Sequence, residues 1–337
     1  MTGDTHPTGA ALRRALARAG GPELLELLAA ELSGAELTTL LLEVYRRRAE
    51  RLTPAEVLRR HRTDRFVAPA PTDFALLRRA EDLLLAALPA GFRPLALSPL
   101  VPLAAHTAVA TVDPRKVVAT VRGSEVAADP TNGLALEAAD RRARALAADP
   151  RSAVPVRLAT TQRVVRAQHF DTPGMLAHFQ LFGLVTAGRD TGDRAFERRH
   201  LLEHLRFAVR ALADAGVRRT ELRLTCLDAA AAPVLAQVRA ELAQTPGVEI
   251  VEDPNRASGR GYYTGLCFKV FAEIGGQAVE LADGGFTDWT QRLLASRKER
   301  LLISGFAVER LAAALDGEGG EHHGPGGRAG APREDAL

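Results

Sequence analysis

Short extended runs that do not alternate one-for-one with helices set the strongest limit on this chain. From Phe92 onward, strand-length apolar runs fall at residues 95–97, 117–121, 154–158, 164–167 and 179–186. More follow at 222–227, 248–251, 262–274 and 278–281, and one long helical pattern, 195–215, separates the two groups. Some neighbours are joined by turns as short as Gly275-Gly276, which an antiparallel pair can use and a parallel pair cannot. A doubly wound parallel sheet would need a helical crossover between each pair of strands. The pattern predicts an α+β fold: a largely antiparallel sheet of about six or seven strands, flanked by helices, over residues 69–316.

A different pattern precedes it. Over residues 1–68 helix signals dominate after a loose terminus of about nine residues. Ser33 with Glu36, and Thr53 with Glu56, fit capping boxes, and Pro54 takes the first helical position. Leu37, Leu40, Leu41, Val44 and Tyr45 recur at helical spacing. Arg46, Arg47, Arg48, Arg51, Arg59, Arg60 and Arg62 crowd the same stretch; they read as solvated helix faces or as a surface for RNA or an acidic partner. Residues 67–71 form a Pro-containing linker, and a helix over 73–88 follows, with Phe74, Leu77, Ala80, Leu84 and Leu88 inward. A last helix is expected from 305 or 306 to 315. Residues 317–337, Gly-rich and containing His322-His323, read as a disordered tail without a metal site.

Composition removes several classes. At 46% hydrophobic and 25% charged, the 337 residues are those of a globular chain. Cys226 and Cys267 make neither a disulfide scaffold nor a four-thiolate zinc site, and they read as reduced thiols of a cytoplasmic protein. No run approaches the ~18–20 apolar residues of a membrane helix. The first twenty residues lack the features of a signal peptide. Lys plus Arg is 44 against 41 acids, and Lys116, Lys269 and Lys298 are the only lysines. Arginine at that excess, beside abundant alanine, fits a GC-rich genome and says little about a polyanion.

No P-loop, G-x-S-x-G elbow or His-Glu-x-x-His is present. Four polar segments remain. In the first, Arg163–Gln168 and Ala177–Gly183 flank a loop containing Asp171-Thr172-Pro173-Gly174. A strand, loop and returning strand would bring Arg166, Gln168 and Phe179 together, a guanidinium fork suited to phosphate beside a ring suited to a base. The second is Ser258-Gly259-Arg260-Gly261-Tyr262-Tyr263-Thr264-Gly265, a turn entering a strand, whose tyrosines could shape a small-ligand pocket. The third, Asp283-Gly284-Gly285-Phe286-Thr287-Asp288-Trp289, reads as a turn leading into a helix. The fourth, Ser304–Leu311, could project Arg310 from a helix start.

Taken in order, these segments resemble the catalytic core of class II aminoacyl-tRNA synthetases. The similarity is to the histidyl-tRNA synthetase branch, which includes a non-synthetase paralogue that regulates ATP phosphoribosyltransferase. The helix from Asp73, followed by a strand and Pro99, is similar to the family's first motif, which implies a homodimer through residues 73–110. Residues 163–183 resemble the second motif, which implies that Arg166 grips the ATP α-phosphate and Phe179 stacks on adenine. Residues 305–311 resemble the third, giving Arg310 the γ-phosphate. Tyr262-Tyr263-Thr264-Gly265 resembles the branch's amino-acid pocket, and Leu134-Ala135-Leu136-Glu137 its Leu-Arg-Pro-Glu, implying substrate contacts from Glu137, Arg260, Tyr262 and Tyr263.

The sequence also departs from that pattern. Gln168 stands where a glutamate receives the adenine amino group, and its carbonyl can still accept that bond. Ser258 and Gly261 replace the pocket's arginine and aspartate, with Arg260 displaced by two. Leu181 and Val185 replace a glutamine and a glutamate, and Ala307 the third-motif glycine. Loss of those paired groups disfavours histidine as substrate. Only a short tail follows Leu315, which disfavours tRNA charging with an anticodon-binding domain. The resemblance thus implies activation of an amino acid or related carboxylic acid by ATP and Mg²⁺. An acceptor other than full tRNA, such as a carrier protein, would follow; the alternative is a non-catalytic, metabolite-binding regulatory paralogue.

Overall fold

The computed structural model describes residues 7–168, 176–259 and 261–319. These divide into two compact units: residues up to Ala68 with Ala119–Glu125, and Pro69–Val118 with the chain from Val126.

In the first unit both capping boxes form. The helices are α1 (Pro7–Ala19), α2 (Glu23–Glu26), α3 (Gly34–Ala49) and α4 (Pro54–Thr63). Ser33 caps α3 reciprocally with Glu36, and Thr53 caps α4 with Glu56. None of residues 9–68 is buried.

The second unit begins with α5 (Phe74–Ala87), started by Asp73, whose carboxylate accepts the Ala75 and Leu76 N–H groups. There follow β1 (Arg93–Pro94), β2 (Leu100–Pro102), β3 (Ser124–Val126, of which only Val126 belongs to this unit), α6 (Pro130–Ala148), β4 (Val156–Val165), β5 (His178–Arg189) and α7 (Ala195–Asp214). Then come β6 (Thr220–Cys226), α8 (Ala232–Leu242), β7 (Val248–Glu252), β8 (Leu266–Ile274), β9 (Gln277–Thr287), α9 (Trp289–Leu293), β10 (Glu299–Ala307) and α10 (Val308–Gly319). Among the described residues an eight-stranded sheet runs β1-β4-β5-β10-β9-β8-β6-β7. Its interior pairs are antiparallel, and β1 and β7 join the edges in parallel.

The sheet is covered on both faces. Leu184, Leu222, Phe268, Leu302 and Phe306 pack with Leu84, Leu205, Val238 and Leu311 in one core. Their sequence neighbours Val185, Cys267, Leu301 and Ile303 point the other way, onto Leu134, Ala138 and Trp289, as the period of two requires. Arg142 anchors α6 to this second face. Its guanidinium and Glu299, both fully buried, meet twice at 2.9 Å, and its remaining N–H groups go to Ser152 and Val154 carbonyls at 2.9 Å. Every charge is paired, as burial demands.

Several expectations need correction. The sheet has eight strands, not six or seven, because β10 lies where a helix start was expected. Leu301, Leu302 and Ile303 are buried on both faces, so no alternation marks the strand. Residues 154–158 and 164–167 are one strand, β4. Its polar middle is accommodated because Thr160 Oγ1 donates to Leu95 O and Gln162 Nε2 to Ser98 O, both at 2.7 Å. Residues 95–97 lie just beyond β1, and 117–121 contain only a bridge between Ala119 and Glu125. The segment 283–287 is the inner end of β9, not a turn. A Cβ on Gly284 would run into the Phe268 ring, and one on Gly285 would lie 2.7 Å from Tyr263 Cδ1; these glycines let aromatic rings lie on the sheet.

Candidate functional site

A cavity of about 780 Å³ opens on the α6 face of the sheet. Its lining includes Asp129, Thr131 and Asn132 at the start of α6, and Arg166 and Gln168 beyond β4. Phe179, Tyr262, Tyr263, Asp283, Gly305 and Arg310 also line it, together with Lys116, Glu280 and Glu309.

Strand pairing assembles the first group. Val164 lies opposite Phe179, and the Arg166 N–H donates to Ala177 O at 2.8 Å. Arg166 and Phe179 are thus diagonal neighbours on one face. The Arg166 guanidinium sits over the Phe179 ring, 5.0 Å from its centre, a cation–π distance. Its Nε donates to Ala128 O at 3.1 Å, and Nη2 reaches Asp129 Oδ2 at 3.4 Å. Asp129 also starts α6, its Oδ1 accepting the Thr131 N–H at 2.9 Å and the Thr131 hydroxyl at 2.6 Å.

A second group is built across the sheet. Arg256, 4% exposed, donates from Nη2 to both Asp283 oxygens at 2.8 Å, from Nε to Ser258 O at 2.7 Å, and from Nη1 to Phe268 O at 3.1 Å. The Tyr263 hydroxyl donates to Asp283 Oδ1 at 3.0 Å. Burial raises the Asp283 carboxyl above its ordinary range, against the pull of Arg256 and Tyr263. Burial also raises the Tyr262 and Tyr263 hydroxyls, joined for Tyr262 by Asp129 and for Tyr263 by Asp283. Both phenols are therefore neutral donors at neutral pH. Tyr262 lies edge-on to Tyr263 and to Trp289, at 4.9 and 5.1 Å.

The start of α10 supplies the third group. Arg310 Nη1 donates to Glu280 O at 2.6 Å. Glu309 accepts the Gln180 N–H at 2.8 Å and Arg163 Nη2 at 3.0 Å, and burial raises its carboxyl. Gln180 Nε2 donates in turn to Glu81 of α5 at 2.7 Å.

No family model matches the sequence, and no curated protein does. Solved structures do match. S. aureus histidyl-tRNA synthetase is similar over 73% of this chain and 70% of its own, at 14% identity and a TM-score of 0.53. An ATP phosphoribosyltransferase regulatory subunit/histidyl-tRNA synthetase from Bacillus halodurans is similar over 74% and 83%, at 15% identity and 0.55. A histidine–tRNA ligase subunit from Alicyclobacillus acidocaldarius matches over 75% and 96%, at 17% identity and 0.54. The chain has the fold of a class II synthetase-like core.

Within the synthetase-like core, Arg166, Gln168, Phe179, Tyr262, Tyr263 and Arg310 all line the one cavity. Glu137 does not. It stands two turns into α6, and its Oε1 accepts Arg141 Nε at 2.6 Å. The start of α6 at Asp129-Pro130-Thr131 occupies the cavity wall instead. Arg260, residues 169–175 and the chain from 320, with His322-His323, lie outside the described residues. The last helix runs to Gly319, beyond the expected end at 315. Sequence reasoning missed Asp129, Asn132 and Arg256, and gave Asp283 only as the start of a turn. Asp129 followed by Pro130 is a helix-start signal that could have been read; the ion pair of Arg256 is made with Asp283, distant in sequence. Among the described residues no group of three or more His, Cys, Asp or Glu could hold a metal ion, and no helix is long and apolar enough to cross a membrane.

Proposed function

We propose that the cavity binds ATP with Mg²⁺ and an amino acid or related carboxylic acid, and joins them as an acyl-adenylate. The observation that carries this reading is the convergence of Arg166, Phe179 and Arg310 in one cavity from separate stretches of chain. A volume of about 780 Å³ falls within the ~300–1,000 Å³ of small-molecule sites. The residues also fit a nucleotide by chemistry: Lys116, Arg166 and Arg310 are cations suited to phosphate oxygens, and Gln168 carries an acceptor for the adenine amino group. Mg²⁺ would be held mainly by phosphate oxygens, its usual coordination, and would supply charge neutralisation there.

In that reaction a carboxylate oxygen attacks the α-phosphorus and pyrophosphate leaves. The protein's part is to orient the two reactants and to steady the charge with Arg166 and Arg310; no protein nucleophile is required. Transfer to a carrier protein or small amine, a cytoplasmic location and a homodimer complete the reading.

The second reading is a non-catalytic subunit that binds a metabolite or protein partner. It is favoured by Leu181, Val185 and Ala307 at positions where the resembled branch is polar or glycine. Calorimetry with ATP–Mg²⁺ separates the two. The first reading expects binding that Arg166→Ala and Arg310→Ala each weaken by about ten- to hundred-fold, the loss of a charge-assisted hydrogen bond. It also expects pyrophosphate exchange with at least one acid. No binding at millimolar ATP refutes it.

A further inference from the structure

Asn132 stands in the first turn of α6, lines the cavity and is 2% exposed. Its amide nitrogen has no hydrogen-bond partner among the described residues. Leaving a buried donor unpaired costs about 1–3 kcal/mol, and native proteins tolerate few such groups without a reason. The polar groups around it are engaged with one another. Asp129 Oδ1 holds both Thr131 donors, and the Ala128 N–H goes to His106 Nε2 at 3.0 Å.

We propose that Asn132 donates to an oxygen on the side chain of the acid bound in this cavity. The site thereby selects acids carrying a second oxygen acceptor, an amide, carboxylate or hydroxyl, over apolar ones. The proposal rests on the adenylation reading and names its substrate class. Charge assigns Asn132 to the acid and not to the triphosphate. Lys116, Arg166 and Arg310 are cations that line the cavity, whereas Asn132 is neutral and follows Thr131, whose side chain is hydrogen-bonded to Tyr262. A buried donor built for a substrate oxygen penalises the analogue lacking that oxygen, because the donor then stays unpaired.

The experiment uses the full chain and three proteins: wild type, Asn132→Leu, which keeps size and removes the donor, and Asn132→Ala as a smaller backup. Thermal unfolding midpoints are recorded without ligand, with each of the twenty amino acids, with ATP–Mg²⁺, and with both. The expected result is a wild-type shift from one or more of asparagine, aspartate, glutamine, glutamate, serine and threonine, and none from leucine or valine. In Asn132→Leu the same shift needs about ten- to hundred-fold more acid, while the ATP–Mg²⁺ shift stays and the ligand-free midpoint is unchanged or higher. The proposal is overturned if the ligand-free midpoint of Asn132→Leu falls by several degrees, which would mark the amide as holding a structural water. It is also overturned if the best acid lacks a side-chain oxygen or keeps its affinity in the variant. Wild type that responds to ATP–Mg²⁺ but to no acid overturns the proposal and leaves the adenylation reading. A response to acid, lost in Asn132→Leu, with none to ATP–Mg²⁺ does the reverse. No response to either overturns both.

Discussion

Replacing Arg256 by methionine tests the group that shapes the cavity's tyrosine wall. The change removes a guanidinium 4% exposed, with its two 2.8 Å bonds to Asp283 and its bonds to the Ser258 and Phe268 carbonyls. Breaking a buried pair costs about 3–5 kcal/mol. The Asp283 side chain keeps 35% of its exposure, so water screens part of the loss and the lower end, about 3 kcal/mol, is expected. At roughly 2–4 °C per kcal/mol for a domain of this size, the midpoint falls by roughly 6–12 °C. The loss also depends on pH. Burial already raises Asp283 above its ordinary 3.8, and losing Arg256 raises it further. A raised folded-state pKa contributes stability below the unfolded value, which is lost as pH climbs through the folded one. The deficit of Arg256→Met is therefore smaller at about pH 4 than at about pH 8, and adding Asp283→Asn restores several degrees at the higher pH. Scanning fluorimetry at both pH values reads this out. An equal deficit at both, or no recovery in the double variant, would refute the coupling.

His204 gives a prediction of opposite sign. It is buried against Thr186 Oγ1, at 2.9 Å, and Ser304, and burial, aided by His200 and Arg157, holds it down to about 3 from 6.5. Its contribution is present above the unfolded value and lost as pH falls, roughly 3 kcal/mol by about pH 4; circular dichroism should show that slope flattened in His204→Gln. Gly284→Ala places a methyl 2.7 Å from Ile303 O as well as against Phe268, and should cost about 1–3 kcal/mol in urea unfolding. Glu299→Gln leaves the Arg142 charge without its partner and should cost about 3–5 kcal/mol, while replacing both residues by leucine recovers most of it.

The helices legible in the sequence were those with one apolar stripe and a marked start. α7 was expected over 195–215 and runs Ala195–Asp214, and α5 starts at its expected cap, Asp73. α6 was missed because alanine falls on its buried side (Ala135, Ala138, Ala139) as well as its exposed one (Ala143, Ala147), blurring the stripe; α8 was missed although Val234, Leu235, Val238 and Leu242 do form one. β9 was misread because Gly284-Gly285 normally signals a turn, whereas here the reason for glycine is the approach of Phe268 and Tyr263. Arg166, Phe179 and Arg310, which line the cavity, could be named from sequence because they sit inside local motifs. Arg256 was not, because its work is done on Asp283, twenty-seven residues away in sequence. Glu137, named from a local likeness, is not among the lining residues and pairs with Arg141.

The order of the sheet has a further consequence. β10 and β9, which carry Ile303, Gly305 and Asp283 to the cavity, are its fourth and fifth members. Fraying that starts at β1 must undo β4 and β5 before reaching β10, and fraying from β7 must undo β6 and β8 before reaching β9. Backbone amides there should exchange with deuterium only when the whole unit opens, while those of the edge strands exchange by local opening. The cavity floor is a stiff anvil under whatever binds there.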